Sequence, residues 1–291
     1  MKTNKNQYKS LEQILKSSFF QNQRLPDDFH INWKDSEYWI WIINQYQNFI
    51  KNSENKKEIV PKKIHQIWIN GKVPKKYQMW RNSWMKNNPD YEYLLWDEKE
   101  ILKLELVNYK QFIKTKYPVV KSNLARHEIL YKFGGIYVDT DFESLKRINK
   151  KYLTRSFIAG QMFDYAPHIN DALMITSKGS KISELVINGF KNRKHSDRMS
   201  PMEILHYCGV FYLTEIIRNN RESLKDIVIM PSQYFYPWPN FFKSNHANRY
   251  SYVTKKTWAI HHWEVSWYKN SIFTRICKKI KNLFKIKVDK K

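Results

Sequence analysis

Only two cysteines, Cys208 and Cys277, occur in the 291 residues, and their spacing suits neither a metal cluster nor the stapled framework of a small secreted domain. No charged-then-apolar leader opens the sequence, so a reducing, cytoplasmic home is expected. Long apolar runs are lacking as well. The longest aromatic and apolar stretch, Tyr38 to Ile43, gives way to Asn44 and Gln45, well short of the roughly 20 apolar residues a spanning helix needs. Acid is scarce: 27 Asp plus Glu stand against 51 Lys plus Arg, a formal net charge of +24. Such a surface draws in phosphates, anionic lipids or nucleic acid, and charge alone does not choose among them. Repeats and low-complexity segments are missing too. What is present, 42% hydrophobic and 16% aromatic residues, is enough to bury the core of one large domain or two small ones, which excludes a disordered chain.

The texture changes twice along the chain. Residues 1–58 carry helical patterns around Leu11, Ile14 and Leu15 and around Trp39, Trp41, Ile42 and Ile43, and close on the polar run Lys51 to Glu58, which predicts a helical extension and a linker. Residues 59–268 alternate β-type runs with helical patterns, which predicts an α/β domain with a largely parallel sheet. The runs are Ile64 to Ile69, Tyr91 to Trp96, Ile136 to Val138, Phe157 to Ala159, Leu173 to Thr176, Ile227 to Met230 and Trp258 to His262. Residues 269–291 hold nine Lys or Arg and one acid, with Ile272, Phe273, Ile276, Ile280, Leu283 and Phe284 spaced by three and four. That pattern predicts a basic amphipathic helix, which either docks on an anionic membrane surface or packs on its own domain. No recognised nucleic-acid motif accompanies the charge, so nucleic acid is not an expected partner.

Chemistry concentrates between Lys121 and Glu143, KSNLARHEILYKFGGIYVDTDFE. Leu124, Ala125, Ile129, Leu130 and Phe133 suit a buried helix, and Gly134 and Gly135 stop it. Ile136 to Val138 then form a strand that delivers Asp139, Thr140 and Asp141 at its C-terminal end, where open α/β sheets bind ligands. Residues two apart on an extended chain share a face, so Tyr137, Asp139 and Asp141 are expected to project into one cleft. Two carboxylates about 4 Å apart repel by roughly 4 kcal/mol at an effective dielectric of 20, so the pair calls for a shared proton or a cation. A divalent ion bridging to phosphate removes the conflict and binds substrate as well.

Five blocks in order complete the pattern: PKKIHQIWING at Pro61 to Gly71, SWMKNNPDYEYLLWDE at Ser83 to Glu98, LARHEILYKFGGIYVDTDFE at Leu124 to Glu143, NDALMI at Asn170 to Ile175, and AIHHWEVSW at Ala259 to Trp267. Together they resemble the glycosyltransferases with an Asp-x-Asp sugar-binding motif, glycosyltransferase family 32, and more distantly the clostridial glucosylating toxins. The resemblance implies a GT-A nucleotide-diphospho-sugar transferase fold, a Rossmann-like mixed and mainly parallel sheet flanked by helices. It also implies a UDP- or GDP-sugar donor, a divalent metal (Mn or Mg), and transfer with retention of configuration. On the family's pattern Asp141 holds the metal and Asp139 contacts ribose or donor sugar, with Asp139 a second metal candidate. Trp68, beside Ile67, matches the aromatic that stacks on the nucleobase. Arg126 matches the helix arginine that faces the donor and neutralises its phosphates, and Tyr137 the aromatic strand position next to it. The last block maps a metal or phosphate contact to His261 or His262, followed by donor contacts at Ser266 and Trp267. Neighbours on a strand face opposite sides, so one histidine reaches the metal, and His261 is favoured. Asn170 or Asp171 is expected near the anomeric carbon.

The chain departs from the family at two places. Asn123 stands where an Asp three residues before the helix arginine is common, which keeps an acceptor but loses the charge. Gly209-Val210 replaces a common Gly-Pro pair. The acceptor expected is a glycan or lipid-linked glycan of bacterial capsule or lipopolysaccharide, assembled at the inner face of the cell membrane. The competing readings are a toxin-like transferase that sugars protein and a catalytically silent module that binds membrane or nucleic acid on the same scaffold.

Overall fold

The structure is a computed structural model, and it describes residues 36–52, 56–69, 71–163, 166–191, 193, 196, 198–238 and 246–264. The amphipathic helix expected at 269–291, the donor contacts Ser266 and Trp267, and the first part of the amino-terminal extension lie outside them.

Helix α1 (Ser36–Asn52) buries Tyr38, Trp39, Ile42, Ile43, Tyr46 and Phe49, spaced by three and four along one face. This face of the expected helical extension enters the same core as the central sheet, and the Tyr46 hydroxyl is 3.0 Å from that of Tyr234. The catalytic-domain pattern then unfolds in order: β1 (Lys63–Ile67), α2 (Lys75–Asn87), β2 (Glu92–Trp96), the short helices α3 (Glu98–Leu102) and α4 (Tyr109–Lys114), and α5 (Pro118–Phe133). After these come β3 (Gly135–Val138), β4 (Phe142–Ser144), β5 (Phe157–Phe163), β6 (Ala166–Thr176), α6 (Lys181–Phe190), α7 (Pro201–Cys208), α8 (Val210–Asn220), β7 (Ile227–Met230) and β8 (Ala259–His261).

Six strands form one sheet in the order β2-β1-β3-β6-β5-β7. β1 pairs parallel with β2 and β3, and β5 parallel with β7, while β6 runs antiparallel to both β3 and β5. The sheet is thus mixed and mainly parallel, as expected, with one reversed strand that alternation of elements did not reveal. Strand β4 was not expected: three residues carry too little pattern to read, and it exists by pairing antiparallel with β8. Helix α2 holds that ribbon from behind, the Trp84 indole donating to the Phe142 carbonyl at 2.9 Å and the Asn87 amide to the Ser144 carbonyl at 2.9 Å.

The junction from α5 to β3 explains the paired glycines. Gly134 has φ +64°, and a Cβ there would lie 2.6 Å from the Lys178 nitrogen; Gly135 has φ +106°, and its Cβ would lie 2.7 Å from the Lys63 carbonyl. Both positions therefore demand the absence of a side chain as well as left-handed backbone. His65 on β1 supports the turn. Its Nδ1 accepts from the Trp96 indole at 3.1 Å, which leaves the proton on Nε2 to donate to the Gly134 carbonyl at 2.9 Å.

Candidate active site

A cleft of about 370 Å³ opens at the C-terminal ends of β1 and β3, with Ile67, Trp68, Tyr137, Asp139, Asp141 and His261 among its walls. The main chain fixes the loop that carries the acids. The Asp139 amide donates to the Ala172 carbonyl on β6 at 2.8 Å, and the Asp139 carbonyl accepts from the Gln66 side chain at 3.2 Å. The Phe142 amide closes the turn onto the same Asp139 carbonyl at 3.1 Å.

Arg126 projects from α5 into this floor. One guanidinium nitrogen donates to the Asp171 carbonyl at 2.9 Å and lies 3.3 Å from the Asp171 carboxylate; the other lies 3.3 Å from Asp139 Oδ1. The group rests on the Tyr137 ring, 4.6 Å from its centroid, and the Tyr137 hydroxyl donates to Asp139 Oδ1 at 2.6 Å. Burial, opposed by Arg126 and reinforced by Asp141, holds the Asp139 carboxyl above the ordinary aspartate value. Asp171 is raised by burial in the same way, against the pull of Arg126. At Asp141 burial also pushes upward but is outweighed by the charge and hydrogen bond of His261 and by the Glu264 amide, so this carboxyl sits below the ordinary value.

The β4 and β8 ribbon brings the second half of the site. Phe142 stands opposite His261 in its register, and the two rings stack at 4.5 Å with planes 2° apart, which aims the imidazole at Asp141. His261 Nε2 is 3.2 Å from Asp141 Oδ1, and the Glu264 amide donates to Asp141 Oδ2 at 2.7 Å. Ligand atoms of Asp139, Asp141 and His261 all lie within 4.8 Å of one another. Asp139 and Asp171 share one guanidinium, Asp141 lies against His261, and His261 Nδ1 is buried with no hydrogen-bond partner. The excess of negative charge, with oxygen and imidazole donors converging, fits a divalent cation of the Mn or Mg kind.

His262 does not join this group. As the next residue it faces the other side of the ribbon, where Nε2 meets Glu143 Oε2 at 3.0 Å and Nδ1 meets Arg249 at 2.5 Å, and Trp80 stacks on its ring at 4.0 Å. The alternation of side chains along an extended strand removes it from the metal candidates.

The remaining expected residues among those described line the same cleft. Ile67 and Trp68 end β1, with the Trp68 ring half-buried and 5.2 Å from Tyr77; Asn123 lies on α5 with its amide 3.4 Å from the Cys208 sulfur. Asn170 lies on β6, its side-chain oxygen accepting from the Ala172 amide at 2.9 Å. Sequence reasoning did not find the Gln66 support, the Glu264 amide, or the Glu143–His262–Arg249 cluster. Gln66 sits inside a block that had been noticed, but nothing in its spacing marks an amide that reaches across a sheet.

Residues 74–158 match the family described as "Glycosyltransferase sugar-binding region containing DXD motif". Inositol phosphoceramide mannosyltransferase 3 of Schizosaccharomyces pombe is 34% identical over 117 residues, covering 39% of this chain and 32% of that protein. Inositol phosphoceramide mannosyltransferase 1 of the same yeast is 24% identical over 208 residues, covering 69% of this chain and 63% of that protein. The chain thus spans less than two thirds of the length of these curated relatives. Among solved structures, the catalytic domain of alpha-toxin from Clostridium novyi aligns with a TM-score of 0.43 at 12% identity, covering 98% of this chain and 97% of that one. The matched segment contains Asp139-Thr140-Asp141 and the helix, glycine pair and strand that present it.

Proposed function

We propose that the protein is a retaining glycosyltransferase that moves a hexose from a UDP- or GDP-sugar to a glycan acceptor. The observation that carries this reading is the convergence of Asp139 and Asp141, which lie in the matched segment, with His261 on one point of the cleft. Those three residues would hold a divalent metal, Mn or Mg, whose chemistry is to neutralise the diphosphate of the donor. Trp68 offers a half-buried indole face at the cleft wall for the nucleobase. Arg126 keeps Asp139 and Asp171 oriented and supplies positive charge beside the leaving phosphates. The acceptor hydroxyl attacks the anomeric carbon on the face from which the diphosphate departs. The carbon–oxygen bond to phosphate breaks as the glycosidic bond forms, and a departing phosphate oxygen takes the hydroxyl proton. Asn170 and Asp171 line the wall where positive charge develops on the sugar.

For the acceptor we propose a lipid-linked glycan of a bacterial surface polysaccharide. The curated relatives, named as inositol phosphoceramide mannosyltransferases, favour a second reading, in which mannose is placed on a glycolipid. The test is release of nucleoside diphosphate across UDP- and GDP-sugars, with and without acceptor lipids, with Mn added or chelated. Metal-dependent release from one donor, lost in Asp141→Ala, is the expected result. No donor binding by any sugar nucleotide overturns the transferase reading and leaves the silent module.

A further inference from the structure

Four of the ten large apolar side chains exposed among the described residues fall between 102 and 113: Leu102 at 37%, Val107 at 51%, Tyr109 at 47% and Ile113 at 50%. Apolar side chains scattered singly over a surface need no explanation, but a local concentration does. Tyr109 and Ile113 stand four residues apart on α4 and share one face, and Lys110 and Lys114 form the strip beside it. Lys103 and Lys116 are exposed as well, and Glu105 is the single acid among residues 102–116.

These side chains are presented rigidly. Phe112 of α4 is fully buried, and the Val107 and Asn108 amides both donate to the Glu128 carboxylate at 2.8 Å. The chain then runs directly from α4 into α5, whose first residues Pro118 and Val119 line the cleft. The Tyr117 hydroxyl between them accepts from the Met199 amide at 3.1 Å. The exposed apolar and basic side chains of α4 thus precede, by a few residues of chain, the two residues that line the cleft.

We propose that this α4 surface docks the protein on an anionic lipid bilayer, with the edge of the cleft formed by Pro118 and Val119 turned toward the headgroups. The mixture of residues selects the occupant. Protein–protein interfaces are depleted in lysine at their centres. At a bilayer, by contrast, lysine stems extend to the phosphates while short apolar and aromatic side chains enter the boundary between headgroups and acyl chains. Docking stands apart from the transferase reading, because it depends on no residue placed in the cleft chemistry. Where both hold, the cleft opens at a membrane, and an acceptor carried on lipid reaches it without leaving the bilayer.

The experiment is co-sedimentation of the full chain with vesicles of phosphatidylcholine alone or with about one third phosphatidylserine. It compares wild type, Tyr109→Ser/Ile113→Ser and Lys110→Gln/Lys114→Gln. A polarity-sensitive dye is placed at residue 113 (Ile113→Cys in a Cys277→Ser background), so that contact by α4 is read separately from any contact by the basic residues 269–291. The expected result is partition onto anionic vesicles weakened about tenfold or more in each double variant, at an unchanged melting temperature, with the dye shifted to the blue on vesicles. Donor turnover in solution stays at the wild-type level in both variants, so a failure of docking and a failure of the transferase reading remain distinct. Wild-type partition in both variants, or an unshifted dye, overturns the proposal. So does a dimer in sedimentation velocity that Tyr109→Ser/Ile113→Ser breaks, since the face then belongs to a second copy of the chain.

Discussion

The two faces of the β4 and β8 ribbon carry the same kinds of side chain and do opposite things. On the outer face Glu143 and His262 meet at 3.0 Å, and their other valences are filled: Arg249 reaches His262 Nδ1 and the Tyr250 hydroxyl donates to Glu143 at 2.8 Å. On the inner face Asp141 and His261 meet at 3.2 Å, yet His261 Nδ1 has no partner and a second carboxylate, Asp139, stands close by with 29% of its side chain exposed. A carboxylate and an imidazole in contact are a structural clasp when every lone pair and proton is satisfied. They become a binding site when the count is left incomplete, because unsatisfied buried polar atoms gain free energy from a ligand that completes them. His65 beneath the glycine turn follows the closed pattern, with both ring nitrogens engaged.

The strongest test removes charge from the open face. Asp141→Asn preserves shape but not the anionic donor, and turnover of the nucleotide sugar is expected to fall about a thousandfold, about 4 kcal/mol, at an unchanged thermal midpoint. A variant that retains wild-type turnover would show that the inner face is only another clasp.

Next is the acid sensitivity of a closed imidazole. Burial, against the Gly134 hydrogen bond, lowers His65 to about 4 from its ordinary value of 6.5. The unfolded chain then takes up a proton that the folded chain refuses, so this residue's contribution is complete above pH 6.5. It is lost progressively as pH falls toward 4, by about 3 kcal/mol in all. Urea unfolding midpoints between pH 7 and 4.5 measure it, and His65→Gln should flatten that slope.

The two neighbouring histidines give the sharpest contrast. His261→Ala should weaken Mn binding, followed by calorimetry, about a hundredfold. His262→Ala should leave Mn binding intact and cost about 2 kcal/mol of folding stability, because Glu143 and Arg249 lose a buried partner. Equal effects of the two substitutions on metal affinity would erase the distinction between the faces.

The inner face was half legible. Helix, glycine pair, strand and carboxylates are contiguous, so a local pattern carries them, and the alternation of side chains along a strand separated His261 from His262. Long-range pairings left no such trace. Strand β4 becomes a strand through partners that start about 115 residues later, at Ala259, and the reversed direction of β6 depends on where the chain re-enters the sheet. The docking of α1 on the core was invisible for a related reason: amphipathic spacing shows that a face will be buried, not what will cover it. Glu143 was in plain view within the motif block, but its role depends on Arg249 and Tyr250, for which no spacing rule exists.

The loop that bears the two aspartates is held almost wholly through peptide groups: Asp139 by Ala172 and Gln66, and Asp141 by the backbone of His262 and Glu264. The cleft walls, by contrast, are ordinary side chains such as Val119, Asn123, Met162, Leu205 and Val210. Inheritance can therefore act on the two separately. Wall residues can change and alter which ligand fits, one substitution at a time, while the main-chain hold on the acids is left in place.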